Sequence, residues 1–333
     1  MKTNNLAEYI HKFFYDYSTA QKGLSKNTIL SYRDTIKQLL LFAGEFHKKV
    51  VTDLTVSDLG CSVIIKFLDH IEKQLNNTIS TRNNRLACIH CLFYYISNLD
   101  PMLVNQSQQI LGIPFKKKNT SVVDYLELNE IKAIINSINR TSADGYRDHT
   151  LFSFMYNTGA RVQEVVDLRV KSFQLERPFQ VHIIGKGNKE RICPLWPQTT
   201  ELIRSLLIQR GIDPKIDAPA FVNHKGQIFT RHGINYLLAK YVRIASVDCP
   251  SLKQKRIHPH TIRHTTAMHL LQARVDINTI RAWLGHVDLK TTNKYAEINL
   301  EMKRKVLNKY LPLAKSNSPW KKDEHIIQWL ESL

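Results

Sequence analysis

The stretch "HPHTIRHTTA", His258 to Ala267, packs three histidines and an arginine into its first seven residues. Pro259 suits the first position of a helix, where its missing N–H leaves nothing unpaired. His260 and Arg263 then fall in the opening turns, three residues apart and on one face. His260 and His264, four apart, have the spacing of paired metal ligands. A helix N-terminus carrying a cation favours an anion instead, and the stretch lacks partner ligands for a metal. Earlier, "NTGARVQEVVDL" puts Arg161 at the start of another helix, just past Gly159. Two arginines converging on one phosphate offer planar, forked donors that match its oxygens. Lys186, at the tip of the turn Gly185-Lys186-Gly187-Asn188, can swing toward the same anion. "WLGHVDLKTTNKYA" adds His286 and, nine residues later, Tyr295. Singly, each has a plain explanation: a salt-bridged arginine, a polar hairpin lysine, a helix-capping histidine, an amphipathic core tyrosine. His264 is expected to turn into the domain and brace its helix. The signal lies in the ordered set.

A second motif, "CIHC" from Cys88 to Cys91, has metal-ligand spacing but no matching pair elsewhere, since Cys61, Cys193 and Cys249 stand alone. It sits in a helical pattern beside Phe93 and Tyr95, so buried small hydrophobes are the better reading. Five cysteines in 333 residues suggest a reducing compartment without a disulfide framework.

The elements that must position these residues are mostly helices. Residues 1 to about 100 show apolar positions at helical spacing in "LAEYIHKFFYDYSTA", "LSKNTILSYRDTIKQLLLFAGEF", "CSVIIKFLDHIEKQL" and "STRNNRLACIHCLFYYISNL", which predicts a four-helix bundle. Ser25 is a candidate N-cap, and Gly44 a candidate stop. From Asp100 to Val123 prolines, amides and Lys116-Lys117-Lys118 read as a linker, the lysines being a solvated loop or a phosphate contact. Helices resume at Tyr125. "FQVHIIGKGNKERICPL" is the clear β signal, two short strands around a glycine turn. The expected fold is mainly α: an N-terminal helical domain over 1–104, a linker over 105–123, and a mixed α+β domain over 124–312 with a small antiparallel sheet. A tail over 313–333 follows.

Charge names the partner class. Lys and Arg number 47 against 29 Asp and Glu, a formal charge of +18. Met1 to Phe115 carries 12 against 9, and the remainder 35 against 20. So basic a balance points to a polyanion, nucleic acid or an anionic membrane surface. No apolar run is long enough for a membrane span, and the N-terminus turns polar too soon for a signal peptide. A cytoplasmic protein is expected.

The ordered set from Arg161 to Tyr295 closely resembles the tyrosine recombinase (phage integrase) family, including Xer-type resolvases and transposon integrases. The matching pieces are "NTGARVQEVVDL", "IIGKGNKERICPL", "HPHTIRHTTAMHLLQA" and "IRAWLGHVDLKTTNKYA". The N-terminal bundle resembles the family's SAM-like core-binding domain more loosely, and the fold implied for the second domain is the DNA breaking–rejoining fold. The resemblance implies Tyr295 as nucleophile, Arg161 and Arg263 as phosphate-binding arginines, and Lys186 as general acid toward the leaving 5′ oxygen. It makes His260 an acid/base, His286 a hydrogen-bond partner of the phosphate, and Glu164 a support for Arg161. No catalytic position departs from the pattern.

The implied chemistry is cleavage of duplex DNA to a 3′-phosphotyrosyl link and a free 5′-hydroxyl. Several cationic groups can stabilise the developing charge, and the sequence offers no carboxylate cluster, so neither metal nor ATP is expected. The resemblance also implies specific core sites, a homotetramer on DNA, and a post-tyrosine segment docking on a neighbouring subunit; packing on its own domain is the alternative for the tail. Simple core sites without an arm-binding domain are expected, with accessory proteins possible. Arg231, after Thr230 at a helix start, and Arg82 and Arg85 on the fourth helix are candidate DNA contacts, each competing with a solvated-face reading. Rival functions are a type IB topoisomerase-like or telomere-resolving activity, and a catalytically silent DNA-binding protein.

Overall fold

The computed structural model describes residues 6–117, 124–185 and 187–285. The chain divides into two compact units, Met1–Ser121 and Val122–Leu333.

In the first unit, α1 (Leu6–Lys12) runs on into a wider π-helical stretch over Phe13–Gln21. Next, α2 (Lys26–His47) starts at Ser25, whose hydroxyl accepts from the Thr28 N–H at 3.3 Å and satisfies one of the helix's orphan donors. Then come α3 (Cys61–Lys73) and α4 (Ile79–Leu99). Their apolar stripes meet in one core, where Phe13, Leu39, Ile64, Phe67, Leu92 and Phe93 are buried. Burying each such side chain contributes roughly 1.5–3 kcal/mol.

Two expectations change here. Gly44 does not end α2, which continues to His47 and stops at Lys48 in a left-handed conformation (φ 54°). Gly44 serves the returning chain instead: Lys49 donates its N–H to the Gly44 carbonyl at 2.9 Å, and a Cβ on Gly44 would lie 3.0 Å from the Lys49 oxygen. The stretch expected as linker contains a helix, α5 (Val104–Leu111), which with the chain just beyond it puts Ile110 and Ile113 into the first core. Eight residues rich in amides are too short a pattern to separate helix from loop. Beyond α5 the Lys116 backbone exchanges two hydrogen bonds with the Asn83 side chain, at 3.1 and 2.8 Å, and its ammonium meets Glu72 at 2.7 Å. Lys116 is therefore tied to the first unit; Lys118 lies outside the described residues.

The second unit begins with α6 (Leu128–Asn136), α7 (Ala143–Thr158) and the short α8 (Val162–Val166). Strands β1 (Phe173–Gln174), β2 (Gln180–Gly185) and β3 (Lys189–Pro194) form an antiparallel sheet in that order. The register sets Val181 opposite Cys193, Ile183 opposite Arg191, and Gly185 opposite Lys189. Gly187 and Asn188 in the turn have φ of 75° and 56°, as a tight hairpin requires. β1, two residues long, leaves no periodicity to read. The unit continues with α9 (Pro197–Gln209), α10 (Arg231–Ala245), α11 (Pro259–Gln272) and α12 (Ile277–Leu284). Its core joins Phe152, Phe154, Ile183, Ile203, Leu238 and Ile262, and a satellite cluster packs α12 on α11 through Met268, Leu271, Ile280 and Leu284. The anticipated fold class, mainly helical with one small antiparallel sheet, is what forms. Among the described residues no helix is long and apolar enough to cross a membrane.

Candidate active site

Gly159 caps α7 in a left-handed conformation (φ 59°), and a Cβ there would overlap the Leu284 side chain at the end of α12. Glycine is thus required twice over, by backbone angle and by the close approach of α12. Two residues on, Arg161 caps α8. Its backbone N–H donates to Glu164 Oε2 at 2.8 Å, and its Nη1 to Oε1 at 2.7 Å. The Arg161 side chain keeps 36% of its surface open while Glu164 keeps only 4%. Burial pushes the Glu164 carboxyl up, but hydrogen bonds and charge from Arg191 and Arg161 outweigh it and hold the pKa below the usual carboxylate range. The result is an ionised, buried carboxylate presenting a partly open guanidinium.

Glu164 has a second partner that the sequence reading missed. Arg191 of β3 donates Nη2 to Glu164 Oε2 at 2.8 Å and Nε to the Trp283 carbonyl at 3.0 Å, with its side chain only 7% exposed. The signal was available: residues 191 and 193 share one face of the strand, and residue 195 directly follows it in the same alternation. Cys193 and Leu195 are apolar, so an arginine in that series needs a buried acid.

Arg263 is 1% exposed. It donates Nη1 to the Gly159 carbonyl at 2.8 Å and Nη2 to the Leu284 carbonyl at 2.6 Å. Sequence reasoning placed it at an anion; these two bonds show it also fastening the Gly159 turn to the end of α12.

His260 is exposed in the first turn of α11, with its ring edge-on to His264 at 4.5 Å and 6.4 Å from His258. Its pKa is pushed down to about 4, first by the protein atoms crowding the ring, then by the positive charges of Arg263, His258 and Arg161. It is therefore a neutral imidazole at pH 7, able to accept a proton. The Arg263 bond to the Gly159 carbonyl, two residues before Arg161, brings the first turns of α11, which carry His260 and Arg263, to the start of α8. His258 caps α11, accepting the Thr261 N–H at Nδ1 over 3.3 Å. His264 is half-buried, with its ring against that of His260. Among the described residues no group of three or more His, Cys, Asp or Glu is placed to hold a metal ion.

Beside this cluster lies a cavity of about 920 Å³, lined among others by Arg161, Gly185, Arg191, Asn278 and Arg281. Lys186, His286 and Tyr295 lie outside the described residues, as does the 313–333 tail.

The candidate DNA contacts fare differently. Arg231 is exposed at the start of α10, which Thr230 caps with a 3.0 Å bond from the Gly233 N–H. Arg82 is buried and sits 3.5 Å from Glu72, which also binds Lys116. Arg85 donates to the Ser31 carbonyl and, at 2.7 Å, to Thr35 Oγ1, joining α4 to α2. Both guanidiniums have partners within the first unit. Cys88 is buried and its thiol is pushed up to about 12 by burial, in keeping with a packing role.

Residues 124–302 match the phage integrase family, and residues 12–97 match the phage integrase N-terminal SAM-like domain. The chain belongs to the phage integrase family. Among its relatives is the integrase/recombinase y4rC of Sinorhizobium fredii, 36% identical over 334 residues, spanning 100% of this chain and 99% of that protein. The tyrosine recombinase XerD of Staphylococcus epidermidis is 28% identical over 315 residues, with 90% of this chain and 98% of that protein covered. Solved structures of the family share the fold. The XerH site-specific recombinase bound to palindromic difH substrate matches with a TM-score of 0.67 at 23% identity, over 86% of this chain and 81% of that one. The Tn1549 transposon integrase in complex with transposon right end DNA gives 0.67 at 15% identity, over 90% and 98%.

Proposed function

We propose that this protein is a site-specific DNA recombinase that cuts and rejoins duplexes through Tyr295. The observation that carries the reading is the convergence of Arg161, Arg263 and neutral His260, with Glu164 beneath, in a chain of this family. A phenol with a free pKa of about 10 is a poor nucleophile at neutral pH. A neutral histidine nearby can take its proton, and the two arginines favour the charge that develops on the phosphate oxygens. As phosphate approaches, its negative charge offsets the arginines and makes His260 a better base. Lys186 protonates the leaving 5′ oxygen, and His286 hydrogen-bonds the phosphate. The bond energy is kept in a 3′-phosphotyrosyl link, so rejoining needs no ATP. Arg231 opens an exposed α10 face that includes His232, Asn235, Tyr236, Lys240 and Arg243, a composition suited to phosphate and base contacts. The relatives' substrates support double-stranded DNA with specific core sites as partner, bound by a homotetramer that the 313–333 tail helps assemble. The site of action is the cytoplasmic nucleoid.

A duplex nicked near the cleavage site tests the reading, because the short fragment diffuses away and traps the covalent intermediate. Protein–DNA adduct is expected; binding without adduct would leave a DNA-binding protein. Exchange between two labelled duplexes separates recombination from simple relaxation or end resolution.

EDTA should leave the cleavage rate unchanged, since cationic side chains supply the charge a metal would bring. Loss of adduct on chelation and its return with Mg²⁺ would sink the metal-free mechanism.

The depressed His260 pKa has a stability consequence with a definite sign. Its folded value, about 4, lies below the ordinary 6.5. Between these values the unfolded chain takes up a proton that the folded chain refuses. Its contribution to stability is complete above pH 6.5 and is lost progressively as pH falls to 4. Urea midpoints of the wild type should therefore drop between pH 7 and 5 more than those of His260→Gln; parallel curves would contradict the assignment.

A further inference from the structure

Glu164 is shared, one oxygen to each guanidinium: Oε1 meets Arg161 Nη1 at 2.7 Å and Oε2 meets Arg191 Nη2 at 2.8 Å. Arg191 also reaches across to α12, where its Nε holds the Trp283 carbonyl at 3.0 Å. One nearly buried side chain thus ties three elements: the start of α8, the hairpin strand β3, and the last turn of α12.

Two glycines make room for this arrangement. A Cβ on Gly185 would sit 3.0 Å from Glu164 Oε1 and 3.9 Å from Arg161 Nη1. A Cβ on Gly285 would sit 2.9 Å from Arg191 Cδ and 3.3 Å from its Nη1, at a left-handed φ of 66° that disfavours a side chain in any case. In the sequence Gly185 directly precedes Lys186, and Gly285 directly precedes His286. The chain segments leading to both residues are therefore pinned against the Arg161–Glu164–Arg191 group.

A guanidinium suits the task where an ammonium would not. Its fixed fork sends Nη2 to the carboxylate and Nε to the carbonyl at once, whereas a lysine has one nitrogen to place. Pairing at both oxygens also settles the orientation of the carboxylate plane, and with it the direction in which Arg161 presents its open edge. A buried ion pair is weak grounds for stability by itself; its value here lies in the geometry it imposes.

We propose that Arg191 is a positioning residue for strand cleavage, acting on Arg161 through the shared Glu164 carboxylate and on the end of α12 through Trp283. This rests on the strand-transfer reading above. Arg191 does not touch the phosphate; it sets where Arg161 does.

The test is a double-mutant cycle on single-turnover cleavage of the nicked duplex, with mobility-shift binding and thermal melting measured on the same full-length proteins. Arg191→Lys keeps a cation beside Glu164 but loses the fork, and should slow cleavage by about 10–100-fold, as for other residues that orient a functional group, with single-site binding changed little. Arg191→Gln should do at least as much. In an Arg161→Lys background the further loss from Arg191→Lys should shrink to about twofold, because the guanidinium being aimed is gone. Losses that multiply would show that Arg191 acts independently of Arg161 and overturn the inference. Normal cleavage by Arg191→Lys would overturn it too, and so would loss of folding and binding in both Arg191 variants, which marks a purely structural ion pair. Absence of adduct from the wild-type chain would sink the strand-transfer reading and this inference together; the other failures leave that reading standing.

Discussion

Tyr295→Phe should form no covalent adduct with a nicked duplex while binding it as tightly as the wild type. The substitution removes one oxygen and keeps the ring, so it alters the attacking atom and little else. Without that oxygen the arginines can still bind the phosphate, but nothing accepts it. Deleting the nucleophile of another covalent enzyme costs about 2 × 10⁶ in kcat, and a loss of that order puts the adduct below detection on a denaturing gel. Tighter accumulation of uncleaved complex is the expected companion result. An adduct that persists in Tyr295→Phe would move the nucleophile elsewhere. Loss of binding along with cleavage would make Tyr295 part of the DNA grip instead.

The two arginines should separate by a different experiment. Arg161 is partly open and rests on one carboxylate, whereas Arg263 is buried and holds the carbonyls of Gly159 and Leu284. Arg161→Ala should therefore lower the cleavage rate by about 10²–10³, the usual cost of removing one preorganised donor, with little change in melting. Arg263→Ala should lower cleavage at least as far and also destabilise the second unit by about 2–5 kcal/mol. It leaves two carbonyls short of a partner and a void the size of a guanidinium stem. Urea unfolding read by circular dichroism measures the difference. If both variants unfold like the wild type, the anchoring role of Arg263 is wrong; if both are equally destabilised, Arg161 is more structural than its exposure indicates.

Much of the fold was legible because its signals are local. Ser25, Thr230 and Pro259 mark helix starts, Gly159 marks a helix stop, and the Gly187–Asn188 turn marks the hairpin; each depends on backbone angles or a bond spanning three residues. The failures were also physical. Gly44 was read as a stop because glycine ends helices often, yet here it admits the oxygen of Lys49 from a returning chain. α5 was missed because Ile110 and Ile113 alone carry no period, and only the core they enter shows their purpose. The surroundings of Arg82 and Arg85 were not legible either: Glu72, from the preceding helix, lies beside the first guanidinium, and Thr35, fifty residues away, accepts from the second.

The sequence alone determined the family, the ordered set of chemical groups and the helix starts that carry Arg161, His260 and Arg263. Residue type, short-range spacing and order are properties of the chain itself. Only the tertiary structure decided the state and surroundings of those groups. It is chiefly the protein packed around the His260 ring that leaves its imidazole neutral, with Arg263 and His258 of its own segment and, last, Arg161 from the start of α8 adding positive charge. It is the crossing of β3 beneath α8 and α12 that gives Glu164 a second arginine. Protonation and orientation depend on charges and dipoles brought close by folding from residues far apart in the chain, and no spacing within one segment encodes them.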